Sequence, residues 1–301
     1  MDYLHKQIDQ AFNRLLATET LISEELRSMM QCFKEEKTTT TSFSFGKLCV
    51  LHYKAFTDEV QDEIYTIAAA IELLILSFDI IDDLQDNDTD NLWSRTPALS
   101  LNTALAMTFL AANIIAGSSL THKDQARDIL VEYALRSING QQLDLLNNCR
   151  DEQSYIDMIT QKSGSLTGMC CLIGEVLAKG KYSTQVQEYG TNIGVIQQIK
   201  NDIQSLKVWN AHNDLFNKRY SLPIIYLLAQ DTPASHMVKD YYNTAVKQEL
   251  DYLVIEQELT HHGAIRYALA IKNIYKLKVL QMVDALVISD EDKTYLQALV
   301  K

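Results

Sequence analysis

Apolar residues recur at helical spacing along almost the whole chain. The segment EVQDEIYTIAAAIELLILSFDIIDDL (59–84) begins polar and turns almost wholly apolar, the pattern of a helix at the centre of a bundle. KDQARDILVEYALRSINGQQLDLL (123–146) and EYGTNIGVIQQIKNDIQSL (188–206) predict two more long helices. HMVKDYYNTAVKQELDYLVI (236–255) and HHGAIRYALAIKNIYKLKVLQMVDALV (261–287) predict amphipathic helices towards the C-terminus. MDYLHKQIDQAFNRLL, with Asp2 and Asp9 beside a Leu4/Ile8/Phe12/Leu15 stripe, predicts an amphipathic helix rather than a signal peptide. Residues 96–121 hold no charged side chain, long enough on paper to span a membrane. Asn102, Thr103, Thr108, Asn113, Ser118 and Ser119 interrupt the run and no Lys/Arg cluster flanks it, so a helix buried on all sides of a bundle is the expectation.

Breaks fall at KTTTTS (37–42), DNDTDNLWSRTP (86–97), AKGKYS (178–183), WNAHND (209–214) and QDTPAS (230–235). None is long enough to act as an interdomain linker, and no repeat is evident. The pattern predicts one all-α domain, residues 1–301, of roughly ten to twelve helices.

Composition sharpens this picture. Only 10 Gly and 3 Pro punctuate 301 residues, too few for strands joined by tight turns. A net charge of −12 argues against a nucleic-acid partner, and means that an anionic substrate needs a local device to hold it. The cysteines, Cys32, Cys49, Cys149, Cys170 and Cys171, are odd in number with no C-x-x-C spacing, which fits a reducing cytoplasm better than a disulfide or zinc framework.

Candidate chemistry concentrates in FDIIDDLQDND (78–88), where Asp79, Asp82, Asp83, Asp86 and Asp88 crowd the end of the most apolar helix. Asp82 and Asp86, four apart, share a face, and their charges oppose both one another and the helix dipole. No basic residue lies three or four positions away, so the local sequence offers no ion pair. Hard oxygen donors on one helix face suit Mg²⁺, which typically takes one or two carboxylates plus substrate phosphates. A second apolar helix ends similarly: GVIQQIKNDIQS (194–205) sets Gln198, Asp202 and Ser205 on one face, with Asn201 four before Ser205. Arg95, Lys162, Lys218 and Arg219 are basic residues of the kind that clamps a reacting diphosphate.

DDLQD (82–86), GQQLD (140–144), YIDMITQKSGSL (155–166), GVIQQIKND (194–202) and RYSLPIIY (219–226) occur in the order and spacing of the trans-isoprenyl diphosphate synthases. The chain resembles that DDxxD family over roughly residues 40–230. The resemblance implies an all-α isoprenoid-synthase-like fold around a central cavity, with Mg²⁺ held by two acidic motifs and binding an allylic prenyl diphosphate. By resemblance, Asp82 and Asp86 are metal ligands with Asp83 in support; Asp202, with Asn201 and Ser205, supplies the second motif. The resemblance also implies that Lys162, Arg219 or Lys218, and Arg95 would contact the diphosphate, while Gln198, Gln141 and Asp144 match the family's polar helix positions. Phe78, four residues before Asp82, is the resemblance's candidate for limiting the lipid tail to a geranyl or farnesyl group.

Departures from the pattern are informative. The second motif reads Asn201-Asp202-Ile203-Gln204-Ser205 instead of DDxxD. Of the pocket that holds isopentenyl diphosphate in the family, Lys47 remains, but Leu48 replaces an arginine and Ile75 a histidine. This combination resembles the branch whose members alkylate a tryptophan of a pheromone precursor peptide. The implied enzyme is cytoplasmic, with peripheral membrane association left open, and the charge-free helix provides either a homodimer face or internal core. Other readings stay open. Terpene cyclisation is one, since Asn201, Asp202 and Ser205 resemble N-D-x-x-S-x-x-x-E, with Trp209 at the Glu position. Short-chain elongation and a non-catalytic, lipid-binding subunit are the others.

Overall fold

The computed structural model describes residues 3–40, 43–209, 213–243, 251–261 and 263–301. The described residues form fourteen α-helices, one 3-10 turn and one π turn, with no strand among them. The all-α expectation therefore holds, with short helices taking the count above twelve. Asp2, part of the 37–42 break, part of the 209–214 break and residues 244–250 of the helix expected over 236–255 lie outside the described residues. The chain divides into two compact units built from interleaved segments: 1–135, 166–190 and 287–292 in the first, 136–165, 191–286 and 293–301 in the second.

The first unit is organised on α4 (Glu63–Gln85), against which α1 (Tyr3–Thr18), α3 (Ser44–Phe56) and α5 (Pro97–Gly117) pack. Ile64, Ile67, Ala68, Ala69, Ala70, Ile71, Leu73, Leu74 and Ile80 of α4 are all buried. That leaves little polar face, as the sequence pattern predicts; each large aliphatic side chain contributes about 1.5–3 kcal/mol of burial. Between α1 and α3, α2 (Glu24–Thr40) packs on α4, α5 and a 3-10 turn (Leu92–Arg95).

Helix α5 departs from expectation. Ser100, Thr103, Ala104, Met107, Leu110, Ala111 and Ile115 are buried, but Leu105 is 56% and Phe109 70% exposed. It is covered on one side only. The lack of charge reported an apolar helix without reporting what covers each face. By length and composition α4 and α5 could each cross a membrane, and α4 is the mostly buried one.

The second unit contains the end of α6 (Lys123–Leu146), α7 (Glu152–Ile159), the π turn (Thr160–Gly164) and the C-terminal half of α9 (Thr184–Ser205). Between the π turn and α9, α8 (Ser165–Lys179) belongs almost wholly to the first unit. The second unit continues with α10 (Leu222–Ala229), α11 (Pro233–Asn243), α12 (Tyr252–His261), α13 (Ala264–Asp284) and most of α14 (Asp290–Leu299). Tyr155, Ile156, Ile159, Val195, Ile199, Ile203, Leu222 and Ala268 form one of its cores.

Candidate active site

In the first unit, the acidic motif occupies the last turn of α4 and the loop after it. Its counter-charge is tertiary: Lys37 of α2 pairs with Asp79 at 2.7 Å. Asp83 is also engaged, its Oδ2 accepting from Trp93 Nε1 at 3.0 Å and Asn91 Nδ2 at 2.9 Å. Burial first, then the charge of Asp79, pushes the Asp83 carboxyl up to about 6 despite the Trp93 bond. Asp86 caps α4 and donates its backbone N–H to Asp82 O at 2.9 Å. The chain then turns through Asn87 in the left-handed region (φ 57°). Asp82 is half-buried, Asp86 and Arg95 are exposed, and Phe78 is half-buried.

Among the described residues no three His, Cys, Asp or Glu side chains gather closely enough to hold a metal ion by themselves. The donor set, two carboxylates one helical turn apart, fits a hard cation that draws its remaining ligands from phosphate and water.

The loop-to-helix segment at Lys47 is packed in the same unit. Lys47, Leu48 and Ile75 are 7%, 4% and 5% exposed. Beside them Gly46 donates its N–H to Glu72 Oε1 at 2.6 Å. A Cβ on Gly46 would lie 3.0 Å from Ala68 O, so α3 sits close on α4. Glu72 is raised to about 8, chiefly by burial.

In the second unit, Gly140 of α6 brings the π turn into contact. A Cβ there would lie 2.1 Å from the backbone N of Lys162. Single-turn π segments are frequent at functional sites. Here Ser137 Oγ donates to Lys162 O at 2.7 Å, and the Lys162 ammonium reaches Asp144 Oδ2 at 2.7 Å. Arg219 approaches the other side of the same residue, 3.6 Å from Asp144 Oδ1 and 3.2 Å from Asp144 O. Asp144 is thus a bridge that fixes two cations. Lys218, also in the left-handed region (φ 52°), places its ammonium 4.6 Å from the Tyr241 ring centroid.

Asp202 on α9 is buried. Tyr155 donates to its Oδ2 and Gln198 Nε2 to its Oδ1, at 2.5 and 2.8 Å. Gln198 is itself oriented by Ser163, which donates to Oε1 at 2.6 Å. Burial, then the charge of Asp214, raises the Asp202 carboxyl; burial raises Asp214 likewise. Ser205 Oγ accepts the N–H of Asp214 at 3.0 Å. Asn201 is exposed and Gln141 half-buried.

The sequence pattern alone does not single out Tyr155, Asp214, Lys37 or Trp93. Tyr155 and Lys37 come from segments far along the chain from Asp202 and Asp79, while Trp93 and Asp214 reach Asp83 and Ser205 across loops, at separations that no helical spacing marks.

A family model described as polyprenyl synthetase matches residues 45–256. The chain is 33% identical over 261 residues to the tryptophan prenyltransferase ComQ of Bacillus subtilis subsp. natto, covering 86% of this chain and 81% of that one. It is 30% identical over 286 residues to the tryptophan prenyltransferase ComQ of Bacillus subtilis strain 168, covering 92% and 93%. Its fold matches the polyprenyl synthase of Caulobacter crescentus CB15 complexed with calcium and isoprenyl diphosphate, with a TM-score of 0.82 at 18% identity over 99% of this chain and 98% of that one. The chain belongs to the polyprenyl synthetase family of prenyl-transferring enzymes.

Proposed function

We propose that the chain is a Mg²⁺-dependent isoprenyltransferase that moves a geranyl or farnesyl group from its diphosphate to a tryptophan of a pheromone precursor peptide. The observation that carries this reading is the burial of Leu48 and Ile75. These are the positions at which the family pattern holds the second diphosphate with an arginine and a histidine. Neither side chain can donate a hydrogen bond, and a diphosphate needs charge-assisted donors. An acceptor without a diphosphate follows. The relatives named tryptophan prenyltransferase support indole as that acceptor.

The donor half retains a residue for each role that this reading needs. Asp82 and Asp86 are the residues of α4 that would hold the metal, and Asp202, aided by Ser205, is the residue of α9 that would do so. Bound with the donor's phosphates, Mg²⁺ supplies positive charge that lowers the energy of the departing diphosphate. Lys162 and Arg219, fixed by Asp144, add preorganised positive charge for the same leaving group. Phe78, one turn before Asp82, limits the tail to ten or fifteen carbons. The indole carbon attacks without prior deprotonation, so positioning is the main requirement, and its aromatic face attracts the allylic cation.

The two units act as one functional domain in this reading. The exposed apolar side of α5 serves as a homodimer face, and the enzyme works in the cytoplasm.

The test offers a radiolabelled allylic diphosphate both isopentenyl diphosphate and a tryptophan-containing precursor peptide in one tube. Label is expected in the peptide. Label found only in longer prenyl diphosphates would replace this reading with chain elongation.

A further inference from the structure

Three residues on one face of α2, Phe33, Glu36 and Lys37 (i, i+3, i+4), engage residues on either side of DDLQD (82–86). Phe33 meets Trp93 edge-to-face with ring centroids 5.9 Å apart. Glu36 takes the backbone N–H of Leu92 on both carboxylate oxygens, at 2.8 and 3.0 Å. Lys37 pairs with Asp79 at 2.7 Å. The family model begins at residue 45, after α2 has ended, so this helix lies outside the matched region.

We propose that this face of α2 sets the position of the loop carrying Asp86, with Glu36 and Lys37 as positioning residues for the metal-binding carboxylates. The proposal rests on the metal reading above. Three contacts converge on residues flanking the loop: Asp79 before it, Leu92 and Trp93 after it. From Trp93 the chain of bonds continues back to Asp83, whose Oδ2 accepts the indole N–H. Asp79 and Asp83 are therefore taken up in holding the loop. The aspartates thus differ in role, with Asp79 and Asp83 supporting the loop while Asp82 and Asp86 bind the metal. Lys37 also offsets the charge of Asp79, which stands one turn before the DDLQD carboxylates. A carboxylate on a backbone N–H and a lysine on a carboxylate are both charge-assisted, and so stronger than neutral contacts.

The experiment compares Glu36→Ala and Lys37→Met with Glu36→Gln and Lys37→Arg, which keep an acceptor oxygen and a charge respectively. Two quantities are measured: amide exchange across 86–92 without metal, and the Mg²⁺ dependence of transfer. The first pair should speed exchange at Leu92 and raise the Mg²⁺ concentration for half-maximal activity by about tenfold or more, the scale of losing a partner that orients a ligand. Turnover at saturating Mg²⁺ should be retained, and the conservative pair should stay near wild type. Unchanged exchange in Glu36→Ala overturns the proposal. So does faster exchange with an unaltered Mg²⁺ dependence, which would make the contacts packing alone. If the wild-type enzyme shows no Mg²⁺ dependence, the metal reading fails by itself, and exchange at Leu92 still decides whether α2 holds the loop.

Discussion

The phenol of Tyr155 donates to Oδ2 of Asp202 at 2.5 Å, deep in the second unit, while Gln198 occupies Oδ1. A carboxylate bonded at both oxygens has a fixed orientation. Burial and the charge of Asp214 still outweigh these bonds and hold the Asp202 carboxyl above its ordinary range.

Tyr155→Phe keeps the ring and removes the donor. Because the phenol bond lowers the Asp202 carboxyl, its loss should raise that group further. If transfer needs ionised Asp202, the acid limb of the pH–rate profile moves to higher pH in the variant. A stability loss of about 1–3 kcal/mol, typical for an unpaired buried acceptor, should accompany it. An acid limb that does not move would show that Asp202 is not the group titrating there.

Asp82→Asn and Asp86→Asn should each abolish transfer while leaving the melting temperature unchanged or slightly raised. Neutralising either removes repulsion at a helix end where the dipole already disfavours negative charge. Near-normal activity with Mg²⁺ in either variant would refute the metal assignment.

Gly140→Ala should be far more damaging than an ordinary helix substitution, although alanine has the higher helix propensity. The new Cβ would stand 2.1 Å from the Lys162 backbone. The π turn must retreat, carrying Lys162 away from Asp144. The expected result is a loss of both stability and activity, checked by thermal melting and by the KM for the allylic diphosphate. A variant as stable and active as wild type would mean that the π turn yields without cost.

Glu72→Gln tests a buried titration. The folded-state value of about 8 lies above the ordinary glutamate value of 4.5. The folded chain therefore binds more protons across that window, and stability falls as pH rises through it. Glutamine keeps an acceptor for the Gly46 N–H and cannot ionise. Urea midpoints at about pH 5 and about pH 9 should differ less for the variant, with the variant the more stable at the alkaline end. An equal pH slope in both proteins would place the titration elsewhere.

Part of the proposed site is a matter of local helix geometry and can be read before the fold. Asp82 and Asp86 share a face because their spacing matches the helix repeat, and that depends only on local geometry. Leu48 and Ile75 stand, by the family resemblance, where an arginine and a histidine hold the second diphosphate, and neither can donate a hydrogen bond; the proposal of a different acceptor starts from that resemblance. Helix content is readable from local geometry, since α6 runs over the residues its periodicity predicts, 123–146. Local spacing did not reveal that the counter-charge for Asp79 comes from Lys37, that Asp83 serves Trp93, or that one carboxylate, Asp144, fixes both Lys162 and Arg219. Nor did it show that α5 is covered on one face only. Periodicity and residue type act over a turn or two of chain, so the sequence determined the helices and which groups each one carries. Ion pairing, burial and the proton affinities that follow are sums over neighbours brought together from distant segments, and only the tertiary structure decided those.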